Sequence, residues 1–159
     1  MADIVRIIHQ KYAEDPFSGK EGLYAASRWA SRGQLVSYAA ESLALATLEI
    51  LAGVGNWRRL SEMVFVEARI DDDVIWTPDV GDMPEGWSQL PPGHASREFG
   101  DAWLEVQRSV AMQVPSVIIP RGWNVVLNPA HPEFSAALTA GEPEPLGLDD
   151  RIIHAQDVP

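Results

Sequence analysis

Strand-like segments outnumber helical ones along this chain, and the two kinds do not alternate strictly. Three segments predict helices, at about residues 41–55, 96–113 and 131–138. A parallel sheet would need regularly repeated strand–helix–strand units. The order therefore predicts an α+β fold, in which a mixed β-sheet forms the core of a single domain and helices flank it. Six short runs that contain Val or Ile predict the strands, at 4–9, 34–40, 62–70, 114–120, 123–129 and 148–154.

Length and composition indicate one globular domain with a sizeable core. The chain has 159 residues, of which 46% are hydrophobic. We expect the domain to span residues 1–159, with a core at about 4–153 and a polar tail at 154–159. An acidic stretch rich in Pro and Gly, residues 71–93, predicts a long surface loop. Ordered loops of this length often cover binding sites.

The charge and the absence of cysteine exclude several classes of function. A net charge of −11 makes the chain a poor non-specific binder of nucleic acid or anionic membrane. Without cysteine there are no disulfides, thiolate zinc sites or cysteine nucleophiles, and the four histidines show no metal-binding spacing. We expect no metal. Asp3 and the lack of a long apolar run argue against a signal peptide or a membrane span, so we expect a cytoplasmic protein.

One carboxylate lies inside the longest apolar segment. Residues 37–55 read as a helix, whose start overlaps the strand predicted at 34–40, so we place its beginning at about Glu41. Glu49 has apolar neighbours three and four positions away, on the same helix face. A carboxylate in such surroundings is costly unless it is paired or works in a cleft. Three interpretations stay open: an exposed rim, a buried Arg partner, or a catalytic cleft.

Other polar residues each have an ordinary structural explanation when taken singly. Arg28 could be a surface charge, and Tyr38 could be a core ring with its hydroxyl outward. Ser116 would be a small residue in the middle of an apolar strand, and Asn128 a turn former. The sequence has no phosphate-binding glycine loop, and Ser116 lacks the Gly-x-Ser-x-Gly setting of a hydrolase.

The order of these pieces resembles the RES domain family. The resemblance covers about residues 4–153 and rests on GLYAASRWASRGQLVSYAAESLALATLEIL, FGDAWL, VPSVIIPRGWNVVLNPAHPEF and LDDRI. The arginine, glutamate and serine that name the family fall on Arg28, Glu49 and Ser116. The family's active-site tyrosine falls on Tyr38. Two further matching positions are Arg6 and Asn128.

The resemblance implies a fold, a substrate and a role for each matched residue. Members resemble ADP-ribosyltransferases in fold and consume NAD, so NAD would be a substrate and no metal would be needed. Glu49, Arg28 and Tyr38 would be catalytic. The residues implied to contact NAD are Arg28, Tyr38, Ser116, Asn128 and Arg6.

The resemblance also implies a partner. RES domains are the toxins of bacterial toxin–antitoxin pairs whose antitoxin carries an Xre-type helix-turn-helix domain. We therefore expect a cognate antitoxin that blocks the active site in a multi-subunit complex and makes the DNA contacts itself.

Three functions stay open. The chain could transfer ADP-ribose to a protein, or it could deplete NAD with water or phosphate as the acceptor. It could instead be a non-enzymatic interaction module in which Arg28 and Glu49 form a structural pair. Ala26 and Ala30 replace a glycine and an asparagine that the family often has around its first arginine, which could alter the choice of acceptor.

Overall fold

The computed structural model describes residues 1–53 and 57–153. Four α-helices lie in these residues: α1 (Leu43–Gly53), α2 (His94–Glu105), α3 (Phe134–Ala137) and α4 (Asp150–Ile153). They accompany eight strands: β1 (Ala2–His9), β2 (Ser37–Ala40), β3 (Met63–Ile70), β4 (Ile75–Trp76), β5 (Ala111–Pro115), β6 (Trp123–Leu127), β7 (Leu138–Ala140) and β8 (Glu144–Pro145).

The strands form one mixed sheet in the order β4-β5-β6-β2-β1-β3-β7, and β8 pairs with β3. The β4–β5 pair is parallel and the other pairs are antiparallel. The sheet with its few flanking helices confirms the predicted α+β class. The domain boundaries stay a prediction, and the proposed polar tail at 154–159 lies outside the described residues.

The two central strands pair with each other over a very short length. β1 pairs with β3 along all eight of its residues, from Ala2 opposite Ile70 to His9 opposite Met63. β2 pairs with β6 along all four of its residues. Between β1 and β2 the ladder consists of a single pair, Val5 opposite Ala40. The sheet is therefore split beside this pair.

Helix α1 packs across the split. Leu45 and Ala46 are the buried residues of α1, and they join Ile7 of β1 and Ala40 of β2 in one hydrophobic cluster. Burying a Leu side chain contributes about 1.5–3 kcal/mol, which fixes the helix on the two strands. Glu49 lies one turn after Leu45 and is thereby held at the edge of the split.

Several predicted elements have the right type and shorter bounds. The alternation in β3 is confirmed, because Val66, Ala68 and Ile70 are buried and Glu67 is exposed. Residues 37–40 form β2 and not helix, and α1 begins at Leu43. The helix predicted at 131–138 is reduced to α3.

The predicted boundary between the helix at 96–113 and the strand at 114–120 is wrong, because the helix ends earlier and the strand begins earlier than predicted. Helix α2 ends at Glu105, Gln107 takes a left-handed conformation with φ of 50°, and the strand already begins at Ala111. That strand, β5, ends at Pro115. Ser116 therefore follows the strand and does not lie in its middle.

The last predicted strand, at 148–154, is wrong. The Asp149 carboxylate accepts a hydrogen bond from the backbone N–H of Arg151 at 2.8 Å, and the backbone N–H groups of Ile152 and Ile153 donate to the carbonyl of Asp149. An acidic side chain that accepts from the first turn favours a helix start. The segment forms α4 instead, and His154 lies outside the described residues.

Candidate active site

A cleft of about 460 Å³ brings together three residues from three successive segments of the chain. Arg28 comes from the loop before β2, Tyr38 from β2 and Glu49 from α1. A smaller cavity of about 170 Å³ shares Tyr38, Glu49 and Asn124 with the cleft and adds Arg6. The rest of the cleft wall consists of Trp29, Ala52, Gly53, Leu90, Pro92, Pro115, Val117 and Ile118.

Glu49 is bound by two uncharged donors. Its Oε1 accepts a hydrogen bond from Ser116 Oγ at 2.7 Å and another from Asn124 Nδ2 at 2.6 Å. The side chain is partly buried. Ser116 and Asn124 therefore stabilise the Glu49 carboxylate directly, through hydrogen bonds at the cleft.

Ser116 is held firmly by its own backbone turn. Its N–H donates to the carbonyl of Gly122 at 2.8 Å, and its Oγ accepts from the N–H groups of Ile118 and Ile119, each at 3.1 Å. The residue is buried. The turn after β5 thus delivers a fixed hydroxyl to Glu49.

Arg28 lines the cleft and also forms hydrogen bonds with the loop that makes up one of its walls. One of its nitrogens, Nη1, donates to the carbonyl oxygens of Trp87 and Gln89, both at 2.9 Å. These carbonyls belong to the acidic loop predicted at 71–93, and Leu90 from the same loop lines the cleft. Burial lowers the pKa of the Arg28 guanidinium, and the negative charge of Glu49 opposes that shift. An arginine keeps its charge despite such a shift.

Tyr38 presents a neutral phenol to the site. Its hydroxyl forms a short hydrogen bond with the hydroxyl of Ser27, next to Arg28 in the sequence. Burial raises the pKa of Tyr38 to about 12, although the hydrogen bond with Ser27 acts in the opposite direction. The ring lines both the cleft and the smaller cavity.

Arg6 bridges the split between the central strands. Its Nη1 donates to the carbonyl of Tyr38 at 2.8 Å, and its Nη2 forms an ion pair with Glu21 at 2.7 Å. Burial lowers the pKa of this guanidinium, and the charge of Glu21 opposes the shift. Arg6 lines the smaller cavity, where its guanidinium replaces the backbone pairing that β1 and β2 lack at this point.

Asn128 lies away from the cleft. Its side chain is buried, with Nδ2 donating to the carbonyl of Leu104 at 3.5 Å and Oδ1 accepting from the N–H of Ala130 at 3.2 Å. These contacts stabilise the turn after β6. They match the ordinary turn-forming explanation, and the structure does not bring Asn128 to Arg28, Tyr38 and Glu49.

Asn124 is the residue that sequence reasoning missed. It lies in β6, opposite Ala40 of β2 and Val114 of β5, and it lines both the cleft and the smaller cavity. The signal was a single amide at the start of an otherwise apolar strand. Side chains alternate along the strand, so Asn124 lies on the same face of the sheet as Val126. Val126 pairs with Tyr38 of β2, so Asn124 and Tyr38 share that face.

Residues 1–53 and 57–153 contain neither a cluster of metal-binding side chains nor a membrane-spanning helix. No group of three or more His, Cys, Asp or Glu side chains in this part of the chain could hold a metal ion. None of its helices has the length and apolar character needed to span a bilayer.

Comparisons with known proteins find relatives along nearly the whole chain. The protein called Toxin Res from Photorhabdus laumondii subsp. laumondii is 31% identical over 153 residues, which cover 96% of this chain and 98% of that protein. The Prs ADP-ribosylating toxin of Sphingobium sp. (strain YBL2) is 36% identical over 125 residues, or 77% of this chain and 78% of the relative.

A solved structure has the same fold. A chain of the M. tuberculosis MbcT–MbcA toxin–antitoxin complex superposes with a TM-score of 0.67, covering 97% of this chain and 87% of that one at 14% identity. The RES domain matches residues 3–149. With this match over nearly its entire length, the chain belongs to the RES domain family.

Proposed function

We propose that this protein is the toxin of a bacterial toxin–antitoxin pair, and that it cleaves the bond between nicotinamide and ribose in NAD and transfers ADP-ribose to a protein. One observation carries the proposal: the cleft holds a carboxylate with two neutral donors on one oxygen, beside an arginine and a neutral tyrosine. Support also comes from the relatives, which are named as toxins, one of them ADP-ribosylating.

Glu49 supplies the negative charge that the reaction needs. Breaking the bond to nicotinamide builds positive charge on the ribose, as in glycoside hydrolysis. A fixed carboxylate in a partly buried site stabilises that charge without reorganising. Oε1 is held by Ser116 and Asn124, so Oε2 is the oxygen that would meet the ribose. Nicotinamide leaves as a neutral molecule, and the reaction requires no metal.

Arg28 binds the pyrophosphate in this proposal. Its Nη1 is occupied by two loop carbonyls, which leaves Nε and Nη2 as donors to phosphate oxygens. Tyr38 lies against the nicotinamide ring, where its neutral phenol favours stacking. Arg6 contributes from the smaller cavity by holding Tyr38 through its carbonyl.

The test is the fate of NAD labelled in its adenylate phosphate. We expect label on a protein when the purified chain is incubated with NAD and a bacterial lysate, and none with the Glu49→Gln variant. Release of free ADP-ribose or its phosphate ester alone would replace the transferase with an NAD-depleting enzyme. Intact NAD under every condition would contradict both reactions and favour a non-enzymatic interaction module.

A further inference from the structure

The oxygen Oε1 of Glu49 in α1 receives hydrogen bonds from two neighbouring elements of the sheet. Ser116 comes from the turn after β5, and Asn124 comes from β6. Their donor atoms lie 2.7 and 2.6 Å from the same oxygen. A carboxylate held through one oxygen by two fixed donors cannot rotate freely about its last side-chain bond.

The proton of Ser116 has one available direction. A hydroxyl has one hydrogen and two acceptor positions. Both acceptor positions are filled, by the N–H groups of Ile118 and Ile119. The hydrogen must therefore point to Glu49. Since Ser116 is also buried, it has neither a free proton nor an accessible surface to offer to NAD.

We propose that Ser116 and Asn124 are positioning residues that act through Glu49: they fix Oε1 and thereby aim Oε2 at the ribose. This inference rests on the proposed function and deepens it. It changes the role of the family serine from an NAD contact, as the resemblance implied, to a support for the carboxylate.

The first test separates the affinity for NAD from the rate of cleavage. We expect Ser116→Ala to lower kcat about 10- to 100-fold, the cost of a displaced catalytic group. Its Kd for NAD, measured by calorimetry, should stay within about twofold of the wild type because no NAD contact is lost. Ser116→Thr keeps the hydroxyl and should recover most of the rate.

Ser96→Ala is the matched control. Ser96 is a fully buried serine in α2, and its Oγ has no hydrogen-bond partner among the described residues. Removing that hydroxyl should leave both kcat and Kd unchanged. The control therefore accounts for any general effect of deleting a buried hydroxyl.

Asn124 gives a second, independent test. Asn124→Asp keeps the shape of the side chain but sets a carboxylate against Glu49, whereas Asn124→Ala only removes the donor. Two carboxylates at this distance share one proton, which partly neutralises Glu49, so the Asp variant should lose more kcat than the Ala variant. Equal losses in the two variants would contradict a role exerted through the charge of Glu49.

The outcomes distinguish this inference from the function on which it rests. If the wild type cleaves NAD and Ser116→Ala weakens NAD binding as much as it slows turnover, Ser116 is an NAD contact and the inference is overturned while the function stands. If Ser116→Ala is misfolded by circular dichroism, Ser116→Thr and the Asn124 pair decide the matter. If the wild type leaves NAD intact, the proposed function falls first.

Discussion

At the scale of single residues, the proposed chemistry depends on one carboxylate. Glu49→Gln keeps the size of the side chain and an oxygen that Ser116 and Asn124 can bind, so the fold should persist. The loss of negative charge should lower NAD turnover by at least about 100-fold, as expected when a preorganised electrostatic group is removed. Turnover and the thermal unfolding midpoint, measured together, check both statements.

Glu41→Gln is the control for that substitution. Glu41 lies just before α1, and its carboxylate accepts the N–H of Trp123 at 3.1 Å, which a glutamine oxygen can also do. We expect wild-type turnover from it. A Glu49→Gln variant with wild-type rates would remove Glu49 from the mechanism.

Arg28 and Arg32 should differ in their effect on NAD binding. Arg28 lines the cleft and Arg32 is exposed. Arg28→Ala removes a charge-assisted contact of roughly 1.5–3 kcal/mol, so Kd should rise roughly 10- to 100-fold, while Arg32→Ala should change it little. Calorimetry with NAD measures both.

Arg28 also has a structural role, whose loss must be distinguished from the loss of a contact with NAD. Because it also binds the carbonyls of Trp87 and Gln89, its loss frees the loop that forms one wall of the cleft. Arg28→Lys keeps the charge and can hold a carbonyl, so it should bind NAD better than Arg28→Ala. Equal Kd values for Arg28→Ala and Arg32→Ala would put the pyrophosphate elsewhere.

We expect the Tyr38 phenol to titrate at a higher pH than an ordinary tyrosine. An unfolded tyrosine titrates near pH 10, and the folded pKa of Tyr38 is raised to about 12. The folded protein therefore favours the neutral phenol; this stabilisation is complete below pH 10 and is lost as the pH rises toward 12. Phenolate absorbance should show a late step that disappears in Tyr38→Phe. An unchanged titration in that variant would contradict the assignment.

Sequence reasoning reached the three cleft residues through the family motif and not through spacing. Arg28, Tyr38 and Glu49 lie on a loop, a strand and a helix, and only the tertiary fold brings such elements together. Asn124 escaped notice because one amide in a short strand has ordinary explanations. Ser116 was found, but its partners depend on where β5 ends, and a run of apolar residues does not mark that end.

At the scale of elements, periodic segments were predictable and very short ones were not. β3 has eight residues, enough for alternation to show which of its side chains are buried. β7 and β8 have three and two residues, too few for any period. The pairing of β1 with β2 at one position depends on contacts made by neighbouring strands. The split, where both strands line the smaller cavity, therefore has no local signal in the sequence.

Gly100 of α2 packs so closely against the segment that carries Arg28 that no side chain should fit there. A Cβ built there would lie 1.6 Å from the backbone oxygen of Trp29. Gly100→Ala must push the helix and this segment apart, at a cost of about 1–3 kcal/mol or more, because backbone cannot yield like a flexible side chain. Urea unfolding measures the change in the free energy of unfolding.

Gly53→Ala is the corresponding control in α1, since a Cβ there meets no atom within 4 Å. It should stay within about 1 kcal/mol of the wild type. If Gly100→Ala were equally stable, the close packing of α2 on the backbone of Trp29 would be wrong.

At the scale of the whole molecule, charge and surface bear on the partner. The net charge of −11 disfavours DNA binding by this chain and favours a basic protein segment. Apolar side chains stand exposed at or beside the cleft, with Leu90 76% and Ile118 37% accessible. A segment that covered the cleft would bury them and could place a carboxylate on Arg28, as the pyrophosphate would.

We therefore expect the cognate antitoxin to inhibit by covering this cleft, with a segment separate from its DNA-binding domain. Truncating that segment should restore NAD cleavage and toxicity while operator binding by the antitoxin persists. Leu90→Asp, which puts a charge on the apolar rim, should weaken the complex by a larger factor than it lowers turnover by the free toxin. Leu23→Asp, at an exposed leucine outside the cleft wall, should leave the complex intact. A complex that cleaves NAD as fast as the free toxin would show that restraint acts at another surface.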